Sequence, residues 1–380
     1  MRSVLLTGGT GAIGSVLARC LLEEPDTRVH LLVRARSHAH LEERLGQLCA
    51  FWGIAAGDER VARRVHGLVG DVTLPELGMD RRDYHRLAGE VTHVIHAAGN
   101  VKLNRPLDEA RRSAVESAAH VLSFVEACGN GSRFQKLEYV STVGVAGRTP
   151  GTLSEAPITR AREFHNSYEA AKAEAEVFVL DAMAGGVTAT IHRPSMVVGD
   201  SHDGKIIQFQ VFYHLCEVLS GARTAGVVPD PQDIQLDIIP VDYVARAIQM
   251  SSRAADASGR IFHLCAGPAD APRIKALTQR VRAVFEASGK RLPKLRPVSP
   301  ALILTLLPFA TKLVPAKMAR SLKALPYFLA YLDPPQAFAN VQTREFFSTK
   351  GVDAPPVDSY LDRVLSYYLS RTRSQRMEDS

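Results

Sequence analysis

Eight residues near the start of the chain, TGGTGAIG from Thr7 to Gly14, limit the fold more tightly than any other stretch. The apolar run SVLLT precedes them, and apolar residues at helical spacing follow them. The glycines therefore lie in a turn between a strand and a helix. In such a turn Gly8 can adopt backbone angles closed to other residues, Gly11 leaves room beside the chain, and Gly14 lets the helix pack close to the strand.

A turn of this kind suits the pyrophosphate of a dinucleotide, because the first N–H groups and the positive dipole end of the helix face the phosphates. The spacing G-x-x-G-x-x-G is a variant of the G-x-G-x-x-G dehydrogenase fingerprint, and glycine-rich turns also serve packing alone. Because this turn joins a strand to a helix, we predict a dinucleotide site with the cofactor-binding residues Thr7, Gly8, Thr10, Gly11, Ala12, Ile13 and Gly14.

The end of the second predicted strand, RVHLLV, indicates which dinucleotide binds. A site for NAD usually carries an acidic residue about 20 residues past the glycines, where it holds the ribose 2′-OH. Arg34 occupies that place here and Arg36 follows it, and a guanidinium suits a 2′-phosphate. We therefore predict NADP(H), bound by Arg34 and Arg36; the alternative is a pair of surface arginines after a strand.

Strand-like and helix-like segments continue to alternate along the chain, which predicts a parallel sheet covered by helices on both faces. The predicted fold class is α/β, a Rossmann-type doubly wound parallel sheet with a smaller, mostly helical C-terminal substrate lobe. We assign residues 1–200 to the NADP(H)-binding domain, with its sheet completed by about 236–266. Residues 200–235 and 267–380 form the predicted substrate-binding lobe.

The chain carries a formal net charge of +6, which is typical of a mildly basic surface or of a protein with anionic partners. Its basic residues do not cluster with aromatic ones, so nucleic acid is not a predicted partner. The five cysteines are scattered and share no metal-binding spacing with histidines, which predicts free thiols, no metal site and a reducing compartment. No leader-like segment comes before the first strand, so we expect a cytoplasmic protein.

The apolar segment at about 300–332 raises the question of membrane contact. Its longest charge-free run, 297–311, has 15 residues, fewer than the roughly 20 that a spanning helix needs. Beyond it, lysines and arginines are spaced among apolar residues, as in a helix at a membrane interface. We predict that the segment forms a wall of an apolar substrate pocket; peripheral membrane contact and plain core are the alternatives.

Tyr168 and Lys172 lie four residues apart on a predicted helix and therefore share one face. An ammonium group beside a phenol favours the phenolate, so we expect Lys172 to lower the pKa of Tyr168. Such a pair can deliver a proton near neutral pH, although a Tyr and a Lys at this spacing also occur by chance. At a nearby strand end, Ser141 and Thr142 provide hydroxyls that bind a substrate carbonyl or simply cap the strand.

The sixth predicted strand ends in RPSMVVGDS, where Pro194 removes a backbone donor and Ser195 supplies a hydroxyl. These groups suit the amide of a nicotinamide, so we place Pro194, Ser195 and Val197 among the cofactor-binding residues; a bulged strand end is the alternative. His192 lies within a buried strand pattern, and we expect it to be structural.

Taken in order, the motifs resemble the extended short-chain dehydrogenase/reductase superfamily over residues 2–266. They are TGGTGAIG, an Arg after the second strand, GDV, HAAGNV, VSTVGVAG, YEAAK and RPSMVVGDS. The resemblance implies a catalytic set of Thr142, Tyr168 and Lys172, in which Tyr168 donates the proton and Lys172 also holds the cofactor ribose. It further implies that the adenine pocket and the cofactor crevice are lined by Asp71, Val72, Ala97, Ala98 and Gly99.

Three stretches, NSYEAAKAEAE, RPSMVVGDSHDGK and QLDIIPVDYVARAI, resemble the thioester reductase and fatty acyl-CoA reductase branch of that superfamily, the male-sterility type. This branch implies an NADPH-dependent reductase of an acyl thioester, either an acyl-CoA or an acyl chain on an acyl carrier protein. The product would be an aldehyde or, after a second reduction, an alcohol. Two alternatives stay open: an NADP-dependent ketone or alcohol oxidoreductase, steroid- or polyketide-like, and a non-catalytic NADP(H)-sensing protein.

Overall fold

The structure is a computed structural model, and it describes residues 1–55, 57–103, 105–129, 133–230, 234–299, 302, 305 and 335–378. Its strands are β1 Arg2–Thr7, β2 Thr27–Val33, β3 Val65–Val69, β4 His93–His96, β5 Lys136–Val140, β6 Gly151–Leu153, β7 Ala189–Pro194, β8 Met196–Val198, β9 Val227–Pro229, β10 Ile238–Pro240, β11 Ile261–Leu264, β12 Arg296–Val298 and β13 Gln336–Phe338.

Its α-helices are α1 Ala12–Leu22, α2 His38–Trp52, α3 Glu59–Arg64, α4 Arg81–Glu90, α5 Leu107–Arg111, α6 Ser117–Gly129, α7 Ser167–Ala184, α8 Val211–Leu219, α9 Val241–Arg253, α10 Ile274–Ala287, α11 Val341–Ser348 and α12 Leu361–Glu378. A π-helical turn, Arg112–Glu116, joins α5 to α6. The glycine turn lies between β1 and α1, as the sequence predicts.

Seven of the strands form one sheet in the order β11-β7-β5-β4-β1-β2-β3, and every pair in it is parallel. β1 pairs with both β2 and β4, so the strand order reverses direction beside it. The loops after β1 and β4 diverge at this point and leave a crevice at the carboxyl edge of the sheet, where such folds bind ligands. The predicted Rossmann-type α/β fold is thereby confirmed.

The central strands are buried along most of their length because helices cover both faces of the sheet. One face packs against α1 and α9 through buried side chains such as Leu17 and Val244. The other face packs against α4 and α6 through Leu87 and Phe124, and against α7 through Ala175. This two-sided packing fixes the carboxyl ends of the strands, on which the candidate site is built.

A second, mostly helical core forms around Phe212 of α8, Phe285 of α10 and Leu365 of α12. The domain division made from the sequence stays a prediction, and α11 departs from it. This helix lies within the range assigned to the lobe, yet Phe346 and Phe347 pack on Phe262 of β11, with ring centroids 4.9 and 4.8 Å away. The chain therefore returns from the lobe to cover the sheet.

The apolar segment at about 300–332 lies almost entirely outside the described residues. Its predicted role as a pocket wall, and the alternative of membrane contact, therefore stay predictions. Among the helices that the structure describes, none is long and apolar enough to cross a membrane.

Candidate active site

The glycine turn brings three parts of the backbone into close contact. Gly8 has a φ of +75°, and a Cβ atom there would lie 2.5 Å from the backbone nitrogen of Ala98. A Cβ atom on Gly14 would lie 2.1 Å from the carbonyl oxygen of Gly8, so the first turn of α1 can take this position only if residue 14 has no side chain. The N–H of Gly11 donates to the carbonyl of Gly8 over 2.9 Å and closes the turn. The backbone geometry expected for Gly8 and Gly14 is confirmed.

A cavity of ≈ 310 Å³ opens at the carboxyl edge of the sheet, beside the start of α1. The predicted residues that line it are Gly11, Ala12, Ile13, Ala97, Ala98, Gly99, Thr142, Tyr168, Lys172, Pro194, Ser195 and Val197. The other predicted residues lie in the turn or beyond the cavity lining: Thr7, Gly8, Thr10, Gly14, Arg34, Arg36, Asp71 and Val72. The structure thus brings the proposed catalytic residues and the nicotinamide-side residues together around one space.

Tyr168 stands in the first turn of α7, where the N-cap residue Asn166 accepts a hydrogen bond from the N–H of Glu169 over 3.0 Å. Thr142 is the second residue after β5, and its hydroxyl accepts from the N–H of Gly144 over 3.1 Å. Burial raises the pKa of Tyr168 to about 12 and outweighs the lowering caused by its hydrogen bond with Thr142. Tyr168 is therefore a protonated phenol at neutral pH. The shift runs opposite to the one we expected from the neighbouring lysine.

Lys172 lies one turn further along α7 and is only 5% exposed. Its Nζ donates to the hydroxyl of Tyr139 over 3.1 Å and to the carbonyl of Val140 over 2.8 Å. Burial lowers the pKa of Lys172 to about 8, and the charge of Glu176 opposes that shift. Near neutral pH the ammonium form still predominates, so a positive charge lies in the wall of the cavity beside Tyr168.

The arginines after β2 lie where the sequence places them, and a third joins them. Arg34 and Arg36 are exposed, and the guanidinium of Arg34 lies 3.8 Å from the carboxylate of Asp71. Arg44 on α2 donates to the hydroxyl of Thr10 and to the carbonyl of Arg34, both over 2.7 Å. Its guanidinium therefore bridges the glycine turn and the end of β2. Sequence reasoning missed this residue, although its place in the first two turns of the helix after β2 was the available signal.

The lobe and the last part of the chain form the other end of the cavity. Gln336 at the start of β13 donates to the carbonyls of Gly147 and Thr149, both over 2.6 Å, and β13 pairs in parallel with β6. Sequence reasoning missed this strand, because its three residues form no pattern of their own. The wall is mostly apolar: Val101, Leu103, Val143, Met196, Val211, Leu236, Ala271, Ala337 and Phe338.

Glu169 is a further cavity residue that the sequence did not single out. It is 1% exposed, and its Oε2 accepts from the N–H of His165 over 3.0 Å and contacts the ring Nδ1 of His165 over 2.9 Å. Together with the N-cap Asn166, these bonds fix the start of α7 in the manner of a capping box. They therefore also fix the orientation of Tyr168, the residue before Glu169.

Within the described part of the chain, Asp200, His202 and Asp242 bring three ligand-type side chains within 4.8 Å of one another. The carboxylate of Asp242 is already engaged by Ser201, whose N–H and hydroxyl donate over 2.8 and 2.6 Å. These bonds fasten the loop after β8 to the start of α9, which is a sufficient structural reason for the group.

A sequence model of the family described as male sterility protein matches residues 6–248 of the chain. The chain belongs to the male sterility protein family. The matched range includes the glycine turn, Thr142, Tyr168 and Lys172. The cavity wall from Ala271 and β13 lies outside it.

Curated relatives of this family member are much longer proteins. An L-2-aminoadipate reductase of Schizosaccharomyces pombe is 25% identical over 280 residues, which cover 70% of this chain and 19% of that protein. An isonitrile lipopeptide synthase of Streptomyces coeruleorubidus is 30% identical over 249 residues, which cover 64% of this chain and 16% of that protein. The chain spans between 5% and 26% of the length of eight such relatives.

Among solved structures, the protein is similar to the terminal R domain from the myxalamid PKS-NRPS biosynthetic pathway. The TM-score is 0.78 at 26% identity, and the match covers 99% of this chain and 91% of that one. The protein is therefore an oxidoreductase of the extended short-chain dehydrogenase/reductase type, in the thioester reductase branch, and its cofactor is a nicotinamide dinucleotide. The glycine turn fits such a cofactor, because Gly11, Ala12 and Ile13 line the cavity. A side chain on Gly8 or Gly14 would collide with the backbone of the turn or of the segment after β4.

Proposed function

We propose that the protein reduces an acyl thioester, carried by an acyl carrier protein or by coenzyme A, to the aldehyde with NADPH. The observation that carries the proposal is the placement of Thr142, Tyr168 and Lys172 around one cavity whose far wall is apolar. Similarity to the terminal R domain and to L-2-aminoadipate reductase supports the thioester class. The net charge of +6 is consistent with an anionic carrier or coenzyme A as the partner.

The chemistry follows from the protonation states in the cavity. A nicotinamide held by Lys172, Pro194, Ser195 and Val197 would supply a hydride for the carbonyl carbon. Thr142 and Tyr168 bind the carbonyl oxygen and stabilise the charge that develops on it. Because burial keeps Tyr168 protonated, it donates its proton to that oxygen and a hemithioacetal forms. The ammonium of Lys172 stabilises the phenolate that remains.

The hemithioacetal then collapses on the same residues. The phenolate of Tyr168 takes back the hydroxyl proton as the carbonyl re-forms and the carbon–sulfur bond breaks. The sulfur leaves as a thiolate, which needs no strong acid because an ordinary thiol has a pKa near 8.5. Hydride and thioester thus yield an aldehyde and a thiolate, and Tyr168 ends as it began.

The test is to follow NADPH oxidation and free-thiol release together, with long-chain acyl-CoA and acyl-pantetheine thioesters as substrates. We expect one thiol per NADPH and an aldehyde product. Tyr168→Phe should lower the rate by about 10²–10⁴-fold, the usual contribution of a positioned proton donor. Activity confined to ketones, without thiol release, would favour a ketone reductase. Full activity in Tyr168→Phe would contradict the assigned proton donor.

We further propose that the cofactor is NADP(H) and that Arg44 recognises the 2′-phosphate together with Arg34. Arg44 uses two of its five N–H groups on Thr10 and the Arg34 carbonyl, and the others are left for a ligand at the same place. A hydrogen bond to a charged group contributes about 1.5–3 kcal/mol, so Arg44→Ala should weaken NADPH binding by about 10- to 100-fold.

NADH binding is the internal reference for this experiment, since NADH lacks the 2′-phosphate. Its affinity should change by less than about threefold, which is within the effect of a lost surface contact. Arg63→Ala is the matched control, because Arg63 is an exposed helical arginine paired with Glu59. An equal loss of NADPH and NADH affinity in Arg44→Ala would show that Arg44 only braces the turn.

A further inference from the structure

The ammonium group of Lys172 is held by strand β5. An ammonium has three N–H groups, and two of them are used on Tyr139 and Val140, over 3.1 and 2.8 Å. The same Nζ lies 4.5 Å from the centroid of the Tyr139 ring, within the range of a cation–π contact. One aromatic side chain therefore binds the ammonium through both its hydroxyl and its ring. One N–H is left for the cavity.

Tyr139 is itself held from the side of the glycine turn. It is 1% exposed, and its ring stacks on that of His96 with centroids 5.6 Å apart. His96 Nδ1 bonds to the hydroxyl of Thr7, the first residue of the turn, over 2.8 Å. Burial lowers the pKa of His96 to about 3, so the ring that supports Tyr139 is neutral. A continuous series of contacts thus connects the cofactor turn with Lys172.

The hydrogen bonds of Glu176 and Tyr168, the polar groups one turn either side of Lys172, are made with other residues. Glu176, one turn further along α7, binds the hydroxyl of Ser141 and the guanidinium of Arg193, each over 2.5 Å. Tyr168, one turn earlier, forms its hydrogen bond with Thr142. Among the described side chains around the ammonium, Tyr139 is thus the one whose contacts are made with Lys172 itself.

We propose that Tyr139 is a positioning residue, which holds the Nζ of Lys172 at one point so that its third N–H serves Tyr168 and the cofactor. The inference rests on the proposed function for the role of Lys172. Its physical basis is the cost of a buried ammonium without partners, together with the rotational freedom of a four-carbon side chain. Without the Tyr139 hydroxyl, the ammonium would be less stable and less well placed.

Tyr139→Phe tests the proposal, because it keeps the ring and the stacking on His96 and removes only the hydroxyl. Loss of a hydrogen bond to the charged form disfavours that form, so the alkaline limb of the kcat profile should move down by about one pH unit. At the pH optimum of the wild type, loss of this hydrogen bond to Lys172 should lower kcat by about tenfold. Tyr360→Phe is the matched control, since this buried hydroxyl donates to the carbonyl of Ile238 over 3.1 Å, in the core around Phe212. Its pH profile should equal that of the wild type.

A second readout does not depend on turnover. Lysines labelled with ¹³C at Cε are titrated by NMR, and the Lys172 signal is assigned by its loss in Lys172→Arg. The Lys172 midpoint should move down in Tyr139→Phe by the same pH shift. If Tyr139→Phe folds poorly, 3-fluorotyrosine placed at position 139 keeps the hydroxyl and weakens both contacts, and a smaller shift in the same direction is expected.

The two readouts separate the inference from the proposed function. A wild-type protein that reduces no thioester, with a shifted Lys172 titration in Tyr139→Phe, contradicts the function and supports the positioning role. An unchanged titration and an unchanged pH profile in Tyr139→Phe overturn the positioning role, whatever the substrate proves to be. A lower kcat with the pH profile unmoved also overturns it, because a purely structural role would give that result.

Discussion

Replacing Gly14 with alanine should push helix α1 away from the glycine turn. The added Cβ would lie 2.1 Å from the carbonyl oxygen of Gly8 and 2.9 Å from the Cα of Gly9. Carbon and oxygen need about 3.3 Å, so α1 must withdraw by about 1 Å, and overpacking of this kind costs about 1–3 kcal/mol. Alanine also favours a helix over glycine by about 1 kcal/mol, which offsets part of that cost.

Gly46→Ala is the matched control, because Gly46 also lies within a helix and has nothing within 4 Å of its Cβ position. It should stabilise the protein by about 0.5–1 kcal/mol through helix propensity alone. The two variants should therefore differ in the free energy of unfolding by about 1–3 kcal/mol, with Gly14→Ala the less stable.

The single tryptophan provides the assay. Trp52 is 5% exposed, and its indole N–H donates to the carbonyl of Ser15, next to Gly14, over 2.7 Å. Its fluorescence therefore reports both the position of α1 and urea unfolding. Compared with Gly46→Ala, we expect Gly14→Ala to have a changed emission maximum, a lower urea midpoint and at least tenfold weaker NADPH binding. A variant as stable as Gly46→Ala with unchanged cofactor affinity would refute the close-approach argument.

Three further predictions concern the rest of the chain. Asn340→Ala removes the donor to the carbonyls of Cys265 and Ala266, over 2.9 and 3.1 Å, and should lower the free energy of unfolding by about 1–3 kcal/mol in urea titrations. Among the thiols, half-buried Cys49 should react first with a thiol reagent, and a faster reaction at a fully buried thiol would contradict the packing. Burial lowers the pKa to about 3 or 4 in His30, His93, His96 and His263, which are therefore neutral in the folded protein. The free energy of unfolding should therefore fall as pH drops from 6.5 toward 4, and unfolding at pH 5.5 should take up about three to four protons, measured by potentiometry. An uptake below about one proton would refute this prediction.

The sheet and the glycine turn were predictable because they depend on local patterns. Helices on both faces of the sheet favour apolar residues in its central strands, and Val4, Leu5 and Leu6 show this just before the glycines. The shared face of Tyr168 and Lys172 follows from helix periodicity alone. Each of these inferences needs only a few neighbouring residues, which is why they could be made without the structure.

Other features depend on contacts between distant residues. Arg44 reaches Thr10 because α2 packs beside the turn, and no motif around Arg44 records that packing. The pKa of Tyr168 was expected to fall, but burial raises it, and burial cannot be judged from YEAAK. Short segments such as β13 have the same difficulty, since their partners lie far away along the chain.

The parallel pairing of β13 with β6 has a consequence for the order in which the protein matures on the ribosome. The turn, the tyrosine helix and all strands of the main sheet are synthesised before Phe338. A nascent chain can therefore assemble a nucleotide crevice whose apolar side still faces water. Closing that side has to wait for β13, so a chaperone would meet the intermediate at its exposed apolar rim.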